Sequence, residues 1–251
     1  MNGIKKLLNN MSKKIICTCE STYKHYEAYW KTVDFDFEFL SDRSPIGIQY
    51  NEQLVRERFG FNGDVSKKHF WNSEGNRNIV WFYAHLRMAY YYMLNPNEEW
   101  YWFMDDDVTC DNWPEFFKAF DNNDADFIAY YTFKKSGVQS QPNVPEIDTN
   151  THSGDLWFDR FPGDGDQISK NGDLFGSFFP IVRFSNKSLQ HLAILLLNGV
   201  HGYSEGFVPT RLSRDGFKLD TIFNNKGESD HFDTNKINIK HKNTTVNWSW
   251  I

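Results

Sequence analysis

The stretch Trp100-Tyr-Trp-Phe-Met-Asp-Asp-Asp107 decides the fold of this chain. Its first five residues are apolar without a break, which is typical of a strand covered on both faces of a parallel sheet. The three aspartates follow at once, so they stand where that strand ends. Because ligands of open α/β sheets bind beyond the carboxyl ends of the strands, the stretch predicts a ligand site at its acidic end.

The three carboxylates themselves predict a bound divalent cation. Adjacent carboxylates repel one another, which destabilises the fold unless a cation offsets their charge. Oxygen ligands suit Mn²⁺ or Mg²⁺. Alternate residues of an extended segment point the same way, so Asp105 and Asp107 are expected to share one face. The alternative is an acidic turn ahead of a helix that Asp111 begins, but the buried strand before the aspartates favours the metal site.

Patterns on both sides of this strand predict alternating strands and helices. The predicted strands are residues 14–19, 35–40, 126–133 and 178–184. The predicted helices are residues 79–94, a helix capped by Asp111 or Asn112, and residues 189–197. Such alternation is typical of an α/β sandwich, in which helices flank a central and mostly parallel sheet.

Composition indicates an ordinary globular protein with an excess of aromatic residues. The 251 residues fit one domain, and 40% hydrophobic and 24% charged residues are usual values. Aromatic residues reach 18%, so some of them are expected to line a surface or cleft, where flat faces of sugars stack on rings. A core built from Phe and Tyr is the alternative. The net charge of −6 argues against a general nucleic-acid binder.

Cysteine usage and hydropathy predict a cytoplasmic protein without a membrane span. The three cysteines form no CxxC pair, which indicates neither a disulfide framework nor a zinc site and favours a reducing compartment. No apolar run approaches the ~18 residues that a membrane span needs. The basic residues 1–14 lack the apolar block of a secretory signal. They are expected to form a solvated tail, with peripheral contact to an acidic membrane surface as the alternative.

The segment Tyr101-Trp-Phe-Met-Asp-Asp-Asp-Val108 resembles the DxD segment of GT-A-fold glycosyltransferases, where a hydrophobic strand delivers the acidic motif. The order of elements over residues 14–133 resembles the nucleotide-sugar-binding half of that fold, which leaves residues 134–251 as the acceptor-binding half and tail. Two later segments, Phe175-Gly-Ser-Phe-Phe-Pro-Ile-Val-Arg183 and His201-Gly-Tyr-Ser-Glu-Gly-Phe-Val-Pro-Thr210, are similar to bacterial and viral surface-glycan transferases. The resemblance implies hexosyl or pentosyl transfer from a nucleoside-diphosphate sugar, UDP-sugar favoured, to a glycan hydroxyl.

The resemblance also implies a set of donor-binding residues. It places Asp105 near the ribose and Asp107 on the metal, with Asp106 in either role. The nucleoside is expected to meet the loop after the first strand and the end of the second, and the diphosphate is expected to meet the start of the helix before the DxD strand. The residues at these positions are Thr18, Cys19, Glu20 and Asp42 for the nucleoside, and Arg77 and Asn78 for the diphosphate. A helix start beside an arginine also suits phosphate on physical grounds, and the alternative for Arg77 is an exposed loop residue.

On the acceptor side, Glu205 is the candidate general base of an inverting transfer, placed in a glycine-flanked turn between two predicted helices. The alternative is an acid that interacts with a helix dipole. A late histidine is also implied as a metal ligand, and His231 and His241 are the candidates. His241, in Ile239-Lys-His-Lys242, resembles the family's tail position better, although Lys242 stands where that tail often has proline.

Two further features bear on the function. The polar residues 134–173, which include Trp157, predict a lid or acceptor wall. A sugar-nucleotide nucleotidyltransferase would need a glycine-rich loop after the first strand, and residues 18–24 contain no glycine. A non-catalytic carbohydrate-binding protein is the alternative from another class, and it would bind free sugar without metal or nucleotide.

Overall fold

A computed structural model describes residues 12–42, 45–60, 84–135, 137–147 and 174–241 of the chain. The strands in these ranges are β1 (Ser12–Cys19), β2 (Glu38–Asp42), β3 (Ile48–Tyr50), β4 (Trp100–Asp105), β5 (Val108–Cys110), β6 (Phe127–Lys135), β7 (Glu146–Ile147), β8 (Phe175–Ser185), β9 (Leu219–Thr221) and β10 (Ile239–His241). The helices are α1 (Glu20–Trp30), α2 (Glu52–Arg58), α3 (Ala84–Leu94), α4 (Trp113–Lys118), α5 (Asn186–Leu197) and α6 (Ser204–Arg214). Within the same ranges, no helix combines the length and the apolarity that a membrane span requires.

Eight of the described strands form one large sheet: seven lie in the order β3-β2-β1-β4-β8-β6-β7, and β9 pairs with the first residues of β6. β8 runs antiparallel to both of its neighbours, β4 and β6. The other strand pairs of this sheet are parallel. A separate two-stranded sheet joins β5 to β10. The predicted fold class, an α/β structure with helices flanking a mostly parallel central sheet, is confirmed.

Side chains of β4 alternate between two apolar layers, one on each face of the sheet. Tyr101 and Phe103 pack with residues of α3, α5 and α6, whereas Trp102 and Met104 pack with residues of α1 and α4. Successive side chains of a strand point to opposite faces, so a strand between two helical layers needs an uninterrupted apolar run. β4 is therefore the buried strand that the sequence predicts.

Aromatic rings build much of the layer that contains α1 and α4. Trp30 stacks on Trp113 with ring centroids 5.7 Å apart, and Trp113 stacks on Phe117 at 5.5 Å. Trp102 makes edge-on contacts with Phe116 at 5.3 Å and with Phe117 at 5.5 Å. Large rings bury extensive apolar area and favour these offset and edge-on arrangements. Core packing therefore accounts for a large part of the aromatic content.

Two strands differ in extent from their predicted ranges. The strand predicted from residue 35 begins at Glu38, because Phe35 and Phe37 lie in the loop before β2 and turn their rings against Trp30. β8 begins at Phe175, three residues earlier than predicted, because its first residues pair with the end of β6.

The helix starts depend on capping side chains. α5 begins at Asn186, earlier than predicted, because the Ser185 hydroxyl accepts a hydrogen bond from the Ser188 N–H. Asn112 caps α4 in the same way, with its side-chain oxygen accepting from the Glu115 N–H. The predicted start of α3 at residue 79 lies outside the described residues.

Candidate metal centre

The acidic run lies at the carboxyl edge of the sheet. Asp105 is the last residue of β4 and stands opposite Cys17 in β1, and the next two aspartates form the turn into β5. The Asp106 N–H donates to the Cys17 carbonyl oxygen at 3.1 Å, which ties this turn to the end of β1. The aspartates therefore stand at the edge where α/β sheets bind ligands.

Asp105, Asp107 and His241 converge at this edge. One ligand atom from each residue lies within 4.8 Å of the other two. His241 Nε2 is 3.1 Å from Asp107 Oδ1. The histidine reaches the aspartates because β10 pairs antiparallel with β5 and places His241 opposite Val108. All three side chains are only partly exposed, with 34% exposure for Asp105, 16% for Asp107 and 8% for His241.

The chemistry of these three side chains fits a divalent cation. Two carboxylates and one imidazole offer oxygen and nitrogen donors; carboxylate oxygens suit Mg²⁺ and Mn²⁺, and imidazole is a common ligand of divalent transition metals. Three protein ligands leave positions open for oxygen atoms of a substrate. A cation would also offset the repulsion between two carboxylates that share this edge.

His231, the other late histidine, does not join this group. Its Nε2 lies 3.3 Å from an Asp220 oxygen and 3.1 Å from the Thr221 carbonyl oxygen. Its ring packs on Phe120 with centroids 4.6 Å apart. Of the two histidines that the resemblance proposed, the structure therefore brings only His241 to the aspartates.

Arg87 is a charged residue of this edge that the sequence analysis missed. It lies on α3 with its side chain 3% exposed, and its Nη2 donates to Asp105 Oδ1 at 2.9 Å. The signal for it was a lone arginine in the apolar segment Ala84-His-Leu-Arg-Met-Ala-Tyr90. A charge in a buried helix requires a partner of opposite charge, although the sequence does not say which.

The proton affinities at this edge reflect burial and the ion pair. Burial raises the pKa of Asp105 to about 6, while the Arg87 guanidinium opposes this rise and the Asp107 carboxylate adds to it. Burial alone would lower the pKa of Arg87, but Cys17, Tyr50 and Asp105 raise it above its usual range. Arg87 therefore keeps its charge.

Thr18 and Asp106, both predicted to contact the nucleotide sugar, contact each other. The Thr18 hydroxyl donates to the Asp106 carboxylate, and the Trp30 indole N–H donates to the Asp106 carbonyl oxygen at 2.8 Å. Both residues are buried. These bonds hold the turn in which Asp105 and Asp107 face His241, and direct contact of Thr18 and Asp106 with a nucleotide stays a prediction.

The remaining predicted donor-side residues lie partly outside the described ranges. Asp42 ends β2 at the same edge, where it is 3% exposed and stands between Cys19 of β1 and Tyr50 of β3. Arg77 and Asn78 fall outside the described residues, as do residue 136 and residues 148–173 of the predicted lid. Their roles in binding diphosphate and covering the site stay predictions.

Glu205 lies in a helix, and the prediction of a turn at this position is wrong. It occupies the first turn of α6, where the N–H groups of Gly206 and Phe207 donate to the Tyr203 carbonyl oxygen at 3.1 and 2.7 Å. Pro209 removes the N–H that would bond to the Glu205 carbonyl oxygen. The Ser177 hydroxyl donates to that oxygen at 3.1 Å instead, so the helix continues through a glycine and a proline.

Glu205 is 8% exposed, and its carboxylate accepts a hydrogen bond from the Tyr203 hydroxyl. Two neighbouring residues of β8 connect this region to the group of Asp105, Asp107 and His241. Ser177 bonds the Glu205 backbone, and the Phe178 ring lies edge-on to the His241 ring with centroids 5.5 Å apart. Glu205 and the aspartates therefore lie toward the same end of the sheet, which is the placement that a base on the acceptor side would need.

Comparisons with known proteins do not assign the chain to a family. No family model matches it, and no curated sequence matches it. Among solved structures, it is similar to the crystal structure of mouse xyloside xylosyltransferase 1 in its apo form, with 10% identity and a TM-score of 0.42 over 84% of this chain and 85% of that chain. A likeness at this level does not bear on activity.

Proposed function

We propose that this chain is a metal-dependent glycosyltransferase that moves a sugar from a nucleoside-diphosphate sugar, most simply a UDP-sugar, to a hydroxyl of a glycan. The observation that carries the proposal is the meeting of Asp105, Asp107 and His241 within 4.8 Å at the carboxyl edge of the sheet. The resemblance of residues 101–108 to a DxD segment supports the same function.

The residues at the sheet edge have distinct tasks in this proposal. Asp105, Asp107 and His241 hold Mn²⁺ or Mg²⁺, which when bound neutralises the charge that develops on the departing diphosphate. Asp42 stands at the edge position from which the nucleoside is contacted, and the Thr18–Asp106 hydrogen bond keeps the acidic turn in place. Arg77 and Asn78 contact the diphosphate.

Glu205 acts on the acceptor. Its carboxylate removes the proton of the attacking hydroxyl while the new bond to the anomeric carbon forms on the face opposite the departing diphosphate. The Tyr203 hydroxyl orients the carboxylate. The product then has the inverted anomeric configuration, and the proton resides on Glu205.

The setting proposed for this reaction is the cytoplasm, with a bacterial or viral surface glycan as acceptor and residues 1–14 as a solvated tail. All three cysteines are free thiols, which supports a reducing compartment. The similarity of residues 175–183 and 201–210 to surface-glycan transferases supports the choice of acceptor.

Calorimetric titration with UDP-, GDP- and dTDP-sugars, with and without Mn²⁺, tests the proposal. A transferase of this kind should bind one nucleoside diphosphate, and only when the cation is present. If the chain binds free sugar without metal or nucleotide, it is a carbohydrate-binding protein and the proposal is wrong. If the chain instead releases diphosphate when it is given a sugar 1-phosphate and a nucleoside triphosphate, it is a nucleotidyltransferase.

A further inference from the structure

The ion pair between Arg87 and Asp105 engages one oxygen of a proposed metal ligand. Arg87 Nη2 is 2.9 Å from Asp105 Oδ1. The arginine side chain is 3% exposed, whereas a third of the aspartate side chain is exposed at the sheet edge. The guanidinium therefore holds Oδ1, and a cation that binds Oδ2 leaves this ion pair intact.

Rigid surroundings hold the guanidinium in this position. Arg87 projects from a helix whose neighbouring residues Leu86 and Met88 are fully buried. Cys17 stands opposite Asp105 in the sheet, and the buried Tyr50 interacts with Arg87 from β3. Moving the carboxylate away would leave the buried Arg87 guanidinium without this partner at large cost, so the ion pair restrains the orientation of the Asp105 carboxylate.

We propose that Arg87 is a positioning residue that makes Asp105 a one-oxygen ligand and thereby selects a six-coordinate cation such as Mn²⁺ over Ca²⁺. The inference rests on the proposed metal-dependent function. Ca²⁺ takes six to eight oxygen ligands and often binds a carboxylate through both oxygens, whereas Mn²⁺ accepts an octahedral set that includes imidazole. Coordination of Ca²⁺ through both oxygens would compete with the Arg87 hydrogen bond to Oδ1, whereas coordination through Oδ2 alone leaves that bond intact.

The test compares affinities for Mn²⁺ and Ca²⁺ in the full chain and its variants. Mn²⁺ binding is measured by electron paramagnetic resonance of the free ion, and Ca²⁺ binding by competition. Loss of the positive guanidinium charge should change the affinities for Mn²⁺ and Ca²⁺ by the same factor, because both ions carry two charges. A change in the ratio of the two dissociation constants therefore reports a change in the coordination geometry. Arg87→Met should shift this ratio toward Ca²⁺ by about tenfold. This is the lower end of the change in metal affinity that is typical when a metal ligand loses its hydrogen-bonding partner.

Two further variants sharpen the comparison. Arg87→Lys keeps a cation beside Oδ1 and should restore most of the wild-type ratio. Arg56→Met removes an arginine that pairs with Glu52 on α2 and should leave the ratio unchanged. An unchanged ratio in folded Arg87→Met, with normal Mn²⁺ binding by the wild type, overturns only the role of Arg87. Absence of Mn²⁺ binding by the wild type overturns both this role and the proposed function.

Infrared spectroscopy of the wild type provides a measurement that does not depend on folding of an Arg87 variant. The difference spectrum between wild type and Asp105→Asn with Mn²⁺ isolates the carboxylate stretching bands of Asp105. A wide separation between the asymmetric and symmetric bands is expected for coordination through one oxygen. A narrow separation, which indicates coordination through both oxygens, overturns the inference.

Discussion

At the scale of single residues, three consecutive aspartates have three different environments. Asp105 pairs with the guanidinium of Arg87, Asp106 accepts a hydrogen bond from the buried Thr18, and Asp107 lies beside His241. The middle carboxylate bonds to Thr18 at the end of β1, whereas the outer two meet near His241. Only the outer pair is therefore available for a shared ligand.

Removal of the Asp107 carboxylate should abolish cation-dependent nucleotide binding without unfolding the protein. Asp107→Ala takes one of three ligands from the proposed centre, whereas the turn stays held by Thr18 and Asp106. Calorimetry with UDP and Mn²⁺ measures the effect, and circular dichroism checks the fold. Asp124→Ala, at an exposed acid that pairs with Lys218, is the control. Undiminished Mn²⁺-dependent binding in folded Asp107→Ala would contradict the assignment.

Glu205→Gln should reduce kcat by about 10²–10⁴-fold, which is the usual contribution of a general base. The amide cannot accept the acceptor proton, although it still accepts the hydrogen bond from Tyr203. Donor affinity should hardly change, and NMR of the product should show inverted configuration. Glu115→Gln, on the exposed face of α4, should have normal activity. Near-normal turnover of Glu205→Gln, or a retained configuration, would exclude Glu205 as the base.

At the scale of elements, α6 continues through Gly206 and Pro209 because β8 supplies the missing donor. The Ser177 hydroxyl bonds the Glu205 carbonyl oxygen that a residue with an N–H at position 209 would satisfy. Ser177 is fully buried, so no water competes for this bond. The strand thereby fixes the start of the helix that carries Glu205.

A double-mutant cycle tests this replacement of a helix hydrogen bond. Ser177→Ala should lower the free energy of unfolding by about 1–3 kcal/mol, because a buried carbonyl oxygen loses its donor. In a Pro209→Ala background the new N–H can bond to that oxygen, so the same change should cost much less. Urea unfolding of the four proteins gives the coupling energy. Additive losses would show that the hydroxyl and the proline act independently.

At the scale of the whole molecule, β8 joins the two predicted halves in one sheet. β8 belongs to the predicted acceptor half of the chain. It nevertheless pairs on one side with β4 and on the other with β6, and these two strands lie wholly or mostly in the predicted nucleotide-sugar-binding half. β10 likewise pairs with β5 and returns the end of the described chain to the acidic edge. The group of Asp105, Asp107 and His241 therefore depends on strand pairing between residues that are far apart in sequence.

The stability of the whole fold should fall in mildly acidic solution because His85 is buried in its neutral form. Burial, assisted by His201, lowers the pKa of His85 from 6.5 to about 3 in the folded state. The unfolded chain therefore binds a proton below pH 6.5 that the folded chain does not, so this contribution to stability is present above pH 6.5 and is lost as pH falls toward 3.

Unfolding free energies between pH 7 and 5 measure this effect. The wild type should lose stability on acidification with a slope that approaches about 1.4 kcal/mol per pH unit from this group. His85→Gln cannot titrate and still offers a hydrogen-bonding side chain to Ser204, whose hydroxyl lies 2.9 Å from His85 Nδ1. The variant should show a shallower slope. Equal slopes for the two proteins would mean that His85 does not couple protonation to folding.

The amino-acid sequence by itself determined the central strand, the acidic run at its end and the mostly parallel α/β fold. The apolar run of β4 and the alternation of strands and helices are patterns among residues close in the chain, and each reports burial directly. Local patterns did not determine where the second strand begins, because Phe35 and Phe37 have strand-like alternation but pack against Trp30 from a loop.

Only the tertiary structure decided which residues complete the site. The choice of His241 over His231 depends on the pairing of β10 with β5. The partnership of Arg87 with Asp105 depends on how α3 packs on the sheet, and the helix at Glu205 depends on a hydroxyl from β8. Each of these contacts joins residues distant in sequence, so their energies arise only when the sheet has brought the elements together, and no local pattern records them.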